Sequence, residues 1–176
     1  MGLENRFVER LPLSLHILAL AQALLLIAVA NGVPVLAKWF LGDRWSWPLD
    51  GGLVLRDGHR LFGKSKTIRG IALAVLCSTL AAQWLGIGAW AGLVSGLGAM
   101  AGDLVSSFTK RRMGLEASSM APGIDQVPES ALPLLLMMDP LGLSAVDVAL
   151  GVAVFWLGEL ALSRLLFRIG MRDRPY

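Results

Sequence analysis

The 176-residue chain is organised around apolar runs long enough to cross a lipid bilayer, and that restricts its fold more than anything else in it. A helix needs about 20 consecutive apolar residues to span the hydrocarbon core. Four runs meet or approach that length: Leu11 to about Leu41, Ile68 to Leu85, Ile87 to about Phe108, and Ser144 to Ile169. A fifth, Ser130 to Met138, is shorter and holds Pro133. Residues 1–176 are therefore expected to form one all-α domain, a polytopic bundle of about five transmembrane helices with its polar loops on the cytosolic side.

Composition agrees. Hydrophobic residues make up 55% of the chain and its mean hydropathy is +0.63, too apolar for a soluble domain that must cover its core with polar surface. Charged residues are only 16% and come in blocks rather than along helix faces. The net charge of +3 marks the cytosolic side of a membrane protein and its anionic headgroups, not a nucleic-acid partner. The single cysteine, Cys77, lies in an apolar run and reads as a packing residue. The N-terminus interleaves Glu4 and Glu9 with Arg6 and Arg10, and Leu11 to Ala30 has no small-residue cleavage pattern, so this run is expected to remain as the first span.

Lysine and arginine set the orientation. With five spans and an outside N-terminus, three basic segments fall in the cytosol: residues 42–69, the loop after Phe108, and the tail carrying Arg172 and Arg174. The connections near Gly86 and at 139–142 hold no lysine or arginine. Glycines 88, 92 and 96, then 98 and 102, recur every four residues in the third span, which permits close helix packing and predicts a central helix. Gly86 and Gly88 predict a tight hairpin before it. Asn31-Gly32-Val33-Pro34 predicts a break or kink in the first helix. His16, Gln22 and Glu159 are isolated polar residues at membrane depth, suited to interhelical hydrogen bonds. Trp39, Trp45 and Trp47 fit an interfacial belt.

Two polar segments carry the chemistry. Residues 50–70 are dense in glycine and cations and end at a helix start, with Lys64, Lys66, Thr67 and Arg69 placed where free N–H groups and helix polarity favour an anion. A positive-inside flank is the blander account. Gly63-Lys64-Ser65 lacks the upstream glycine and strand of a Walker A loop. The second segment runs from Gly102-Asp103-Leu104 through Lys110-Arg111-Arg112 to Pro122 and Asp125-Gln126. An ionisable residue inside a membrane helix is costly, which makes Asp103 a functional candidate, although it could merely bond another helix. Lys110 lies two turns on, on the same face. Asp103 and Asp125, without histidine or cysteine nearby, form a hard-oxygen pair suited to magnesium with a nucleotide's phosphates.

At these residues the chain resembles the CDP-archaeol synthase family, related to the phosphatidate cytidylyltransferases. The matching elements are Asn31 to Pro34, the Asp50-Gly51-Gly52 loop as far as Arg69-Gly70, Gly102-Asp103-Leu104 with Ser107-Phe108 and Lys110-Arg111-Arg112, and Pro122 with Asp125-Gln126. The family's acidic stretch after Asp125-Gln126 is Val127-Pro128-Glu129 here. The resemblance implies an enzyme of the cytoplasmic membrane, its site facing the cytosol, that transfers CMP from CTP to a membrane lipid phosphate with Mg2+. It makes Asp103, Lys110 and Arg111 catalytic and gives the metal to Asp103 and Asp125. Nucleotide binding falls to Asn31, Asp50, Gly51, Gly52, Arg60, Lys64, Lys66, Thr67, Arg69, Ser107 and Arg112. The alternatives are a CTP-dependent polyprenol or lipid kinase, which releases CDP in place of pyrophosphate, and a transporter or lipid-binding scaffold, which needs no magnesium.

Overall fold

The computed structural model describes residues 16–117, 119 and 121–170. The expectations for Glu4, Arg6, Glu9 and Arg10 and for Arg172 and Arg174 fall outside these residues. Among the described residues there are six helices in order: α1 Ile17–Leu41, α2 Ile68–Trp84, α3 Ala89–Arg112, α4 Gln126–Leu136, the single turn α5 Met138–Leu141, and α6 Ala145–Arg168. The bundle is the all-α membrane architecture expected. Helices α1, α3 and α6 are long and apolar enough to cross a bilayer, and α2 is apolar over 17 residues. The fourth segment is short, as its sequence indicates: α4 has 11 residues, about 16 Å of helix at the standard rise.

The central helix is α3, which packs against α1, α2 and α4. Its glycines explain how. A Cβ at Gly92 would stand 2.3 Å from the Ser78 carbonyl oxygen of α2, and one at Gly102 would stand 2.1 Å from the Pro128 carbonyl oxygen of α4. Backbones this close leave no room for any side chain, and the contact is made by dispersion and by polar groups such as Ser78 Oγ, 3.0 Å from the Gly92 carbonyl. Gly88 does not belong to this stripe. It caps α3 with φ 86°, and together with Gly86 (φ 70°) it makes the tight hairpin.

Helix α1 passes through Pro34 without interruption, so of the expected break or kink the break does not occur. Proline removes one backbone donor but holds a helix-compatible φ, and Pro34 packs on the start of α2 beside Gly70. At the opposite end of the bundle Asp147 is fully buried and accepts hydrogen bonds from the His16 backbone N–H (2.9 Å), the Ser144 backbone N–H (2.8 Å) and Ser144 Oγ (2.7 Å). His16 Nδ1 lies 2.9 Å from its second oxygen. His16, the residue before α1, thus ties the start of α1 to the start of α6. Between the two ends, Leu20, Leu26, Ile27, Leu134, Met137 and Phe155 form the apolar core.

Candidate active site

The segment between α1 and α2 is a folded lobe rather than a loose loop. Its two arms pair through Leu49 N–H to Lys66 O (2.8 Å), Leu61 N–H to Leu53 O (3.0 Å) and Leu55 N–H to His59 O (2.9 Å). Asp50 holds it together. Its buried carboxylate accepts from the Arg60 guanidinium and from the N–H groups of Gly52 (3.0 Å), Phe62 (3.2 Å) and Gly63 (3.0 Å). Burial opposes ionisation, but Arg60 and these three N–H groups outweigh it and hold the Asp50 carboxyl well below the usual carboxylate range. Gly51 (φ 54°) and Gly52 (φ 90°) supply the left-handed turn that wraps the backbone round it. Arg112, at the end of α3, clamps the lobe from outside, pairing with Asp57 at 2.7 Å, donating to Arg60 O at 2.7 Å and lying over the Phe108 ring at 5.2 Å.

The lobe ends by delivering cations to the start of α2. Thr67 is the N-cap, its hydroxyl accepting from the Gly70 N–H at 3.1 Å. Arg69 turns back to donate to the Gly42 carbonyl (3.0 Å) and the Arg44 carbonyl. Lys66 points inward and meets Asp103 of α3 at 2.5 and 2.6 Å. Two turns along α3 on the same face, Lys110 pairs with Asp125 at 2.6 Å and donates to the Ser119 carbonyl at 2.9 Å. Asp125 is fixed in turn by the Ala121 N–H, 2.9 Å away. Arg111 is buried and donates to the Glu116 carbonyl at 2.5 Å.

These groups surround one cavity of about 880 Å³. It brings together Asn31 of α1, Lys64, Lys66, Thr67 and Arg69 of the lobe and its junction with α2, Asp103, Ser107, Lys110 and Arg111 of α3, and Asp125. Asn31 Nδ2 and Arg111 Nε are buried there without a hydrogen-bond partner. The cavity's walls do not include Asp50, Gly51, Gly52, Arg60 or Arg112, whose contacts are spent inside the lobe and between lobe and α3. The sequence reading missed Glu129. It is buried on α4, lines the cavity, and lies within hydrogen-bond reach of Asp103. The criterion that singled out Asp103, a charge inside an apolar helix, applies to it equally. Glu159 of α6, read as an isolated polar residue, also lines the cavity.

The carboxylates suit a hard cation, and their spacing limits how. Among the described residues no three His, Cys, Asp or Glu side chains converge as a ligand cage. Magnesium does not need one, because it commonly takes one or two carboxylates and completes its shell with water and substrate phosphates.

A family model described as CarS-like, CDP-archaeol synthase, matches residues 15–176. Among curated relatives, the CDP-archaeol synthase of Methanopyrus kandleri is 43% identical over 116 residues, covering 62% of this chain and 65% of its own length. That of Methanosphaerula palustris is 36% identical over 73% of this chain and 89% of its own. That of Aeropyrum pernix is 36% identical over 84% and 86%. A solved structure, described as an intramembrane enzyme for the biosynthesis of archaeal membrane lipids, is 31% identical and superposes with a TM-score of 0.61 over 78% of this chain and 90% of its own.

Proposed function

The chain belongs to the CDP-archaeol synthase family, and from that premise we propose how its cavity performs the reaction. It is a CTP-dependent cytidylyltransferase of the membrane, passing CMP from CTP to a lipid phosphate. One arrangement carries the assignment of residues: Asp103 and Asp125, each paired with a lysine, share a single cavity with Arg111, Lys64 and Glu129.

An oxygen of the lipid phosphate bonds to the α-phosphorus of CTP as the bond to the bridging oxygen breaks in line, and pyrophosphate leaves with that electron pair. No protein nucleophile is needed, so the protein's work is positioning and charge neutralisation. Lys110 and Arg111 stand on α3, where their cations oppose the charge of the triphosphate and of the departing pyrophosphate. Lys64, Lys66, Thr67 and Arg69 receive the rest of the nucleotide's phosphates, with Asn31 and Ser107 as neutral hydrogen-bonding groups on the facing walls. Asp103 and Asp125 hold magnesium, which when bound neutralises phosphate charge. Lys66 and Lys110 keep those carboxylates ionised and in place. Asp50, Gly51, Gly52, Arg60 and Arg112 serve CTP indirectly, by shaping the lobe that closes on it. The basic lobe and the basic end of α3, read by the positive-inside rule, support a cavity that opens on the cytosolic face of the cytoplasmic membrane.

The test is transfer of label from α-labelled CTP, with magnesium and a panel of lipid phosphates, by the protein in detergent. Label in lipid with pyrophosphate released, and loss of both in Asp103→Asn, is the expected result. Release of CDP would make the protein a lipid kinase, and failure to bind CTP would leave a transporter or scaffold.

A further inference from the structure

A second pocket, of about 340 Å³, opens on the outer face of α3 and is walled by Phe62, Ala101, Leu104, Val105 and Phe108. Its walls are apolar, and Ala101, Val105 and Phe108 are exposed on a helix that crosses the bilayer. Two of its residues, Phe62 and Leu104, also line the polar cavity, so the two spaces share a wall. Leu104 directly follows Asp103. Phe62 is held where it is by the donation of its N–H to Asp50, and Phe108 lies under the Arg112 guanidinium that ties the lobe to α3.

We propose that this pocket seats a hydrocarbon chain of the acceptor lipid, with Phe62 and Leu104 as the partition between its apolar chain and its phosphate. The inference rests on the cytidylyltransfer reading and adds the route by which the lipid reaches the site. An acceptor whose phosphate lies beside Asp103 must carry its chains back to the bilayer. Over Leu104 and under Phe62 they do so without crossing the lysines and carboxylates of the cavity. The same placement gives the buried Asp50 centre a purpose that cavity lining does not: it fixes the aromatic wall of a lipid subsite.

Two measurements test it. Val105→Trp fills the pocket from its exposed side; with about fourfold in affinity lost per displaced methylene, the KM for a long-chain lipid phosphate rises about tenfold or more. The KM for CTP stays at the wild-type value, and Leu157→Trp, on the exposed face of α6, changes neither constant. Independently, p-benzoylphenylalanine at position 105 crosslinks a labelled lipid phosphate and is competed by unlabelled acceptor, whereas the same probe at position 157 is not. A Val105→Trp enzyme with an unchanged lipid KM, or crosslinking at 105 no more competable than at 157, overturns the subsite. If wild-type protein transfers no CMP to any lipid phosphate, the cytidylyltransfer reading itself falls and the subsite with it, an outcome visible without any variant.

Discussion

Lys66 Nζ lies 2.5 and 2.6 Å from the two carboxylate oxygens of Asp103, joining the lobe before α2 to the central helix. Burial works against this ammonium, but the negative charges of Asp103, Glu129 and Asp125 outweigh it and raise its pKa. A lysine raised in the folded state stabilises fully below its unfolded value of about 10.4, and that contribution is lost only as pH rises through the folded value. Lys66→Met therefore leaves Asp103 and Glu129 with less cationic compensation, at a cost of about 3 kcal/mol. Thermal unfolding in detergent at neutral pH reads the loss, and CTP titration reads an accompanying drop in affinity.

Asp103→Asn and Asp125→Asn are expected to lower kcat by about a thousandfold, and Lys110→Ala by about a hundredfold, the range seen when one preorganised charge-stabilising group is removed. Single-turnover transfer from labelled CTP measures both. Wild-type activity in all three variants would put the chemistry elsewhere.

Magnesium dependence is the outcome expected from the hard-oxygen donors. Chelation is expected to stop transfer and added magnesium to restore it. Calcium, with its larger shell and looser geometry, is expected to restore little. The assay is CDP-lipid formed per minute after chelation and replacement.

Asp50 gives the lobe an acid limit. Its carboxyl is depressed in the folded state, so its contribution is fully present above the unfolded value of about 3.9 and is lost as pH falls through the folded value. Asp50→Asn abolishes that dependence and, by breaking a buried pair with Arg60, costs about 3 kcal/mol at neutral pH. Protease cleavage between residues 50 and 63 is the readout: it should quicken in the variant at pH 7, and in the wild type only below about pH 4.

Two glycine substitutions separate packing from helix propensity. Gly102→Ala places a Cβ 2.1 Å from the Pro128 carbonyl oxygen, which cannot be relieved without moving α4, and costs several kcal/mol. Gly158→Ala, with nothing within 4 Å, gains up to about 1 kcal/mol from helix propensity. Melting temperatures in detergent should move in opposite directions.

The helices were legible because a bilayer imposes one length and one polarity on anything that crosses it, and the α3 glycines announced the central position by their spacing. Asp103 was legible as a charge inside an apolar helix, Lys110 by its place two turns on along the same face, and Asp125 as a second hard-oxygen donor; the fold brings all three to one cavity. Glu129 was not, because the short apolar run begins at Ser130 and leaves it one residue outside, and only the fold carries α4 back to Gln126. Asp50, Arg60 and Arg112 share the charged character of the cavity residues, and only the fold reveals that their hydrogen-bonding capacity is spent within the lobe and between the lobe and α3. Pro34 shows the limit of a local signal: it allows either a break or a kink, and the packing of α1 on α2 carries the helix through it without a stop.

The contact between His16 and Asp147 joins residues 131 positions apart, the first and last long helices described. Its consequence lies in the order of manufacture. As the chain leaves the ribosome, α1, α2 and α3 can assemble around the glycine stripe, and the pairing of Lys66 with Asp103 can form, before α6 has been made. Glu159, Leu160 and Ser163, the α6 side of the cavity, arrive afterwards and are seated when Asp147 closes on His16. Synthesis from the N-terminus thus allows the charged centre to be assembled while one wall is still missing, and the bonds that join α1 to α6 lie at the end of the bundle opposite the chemistry.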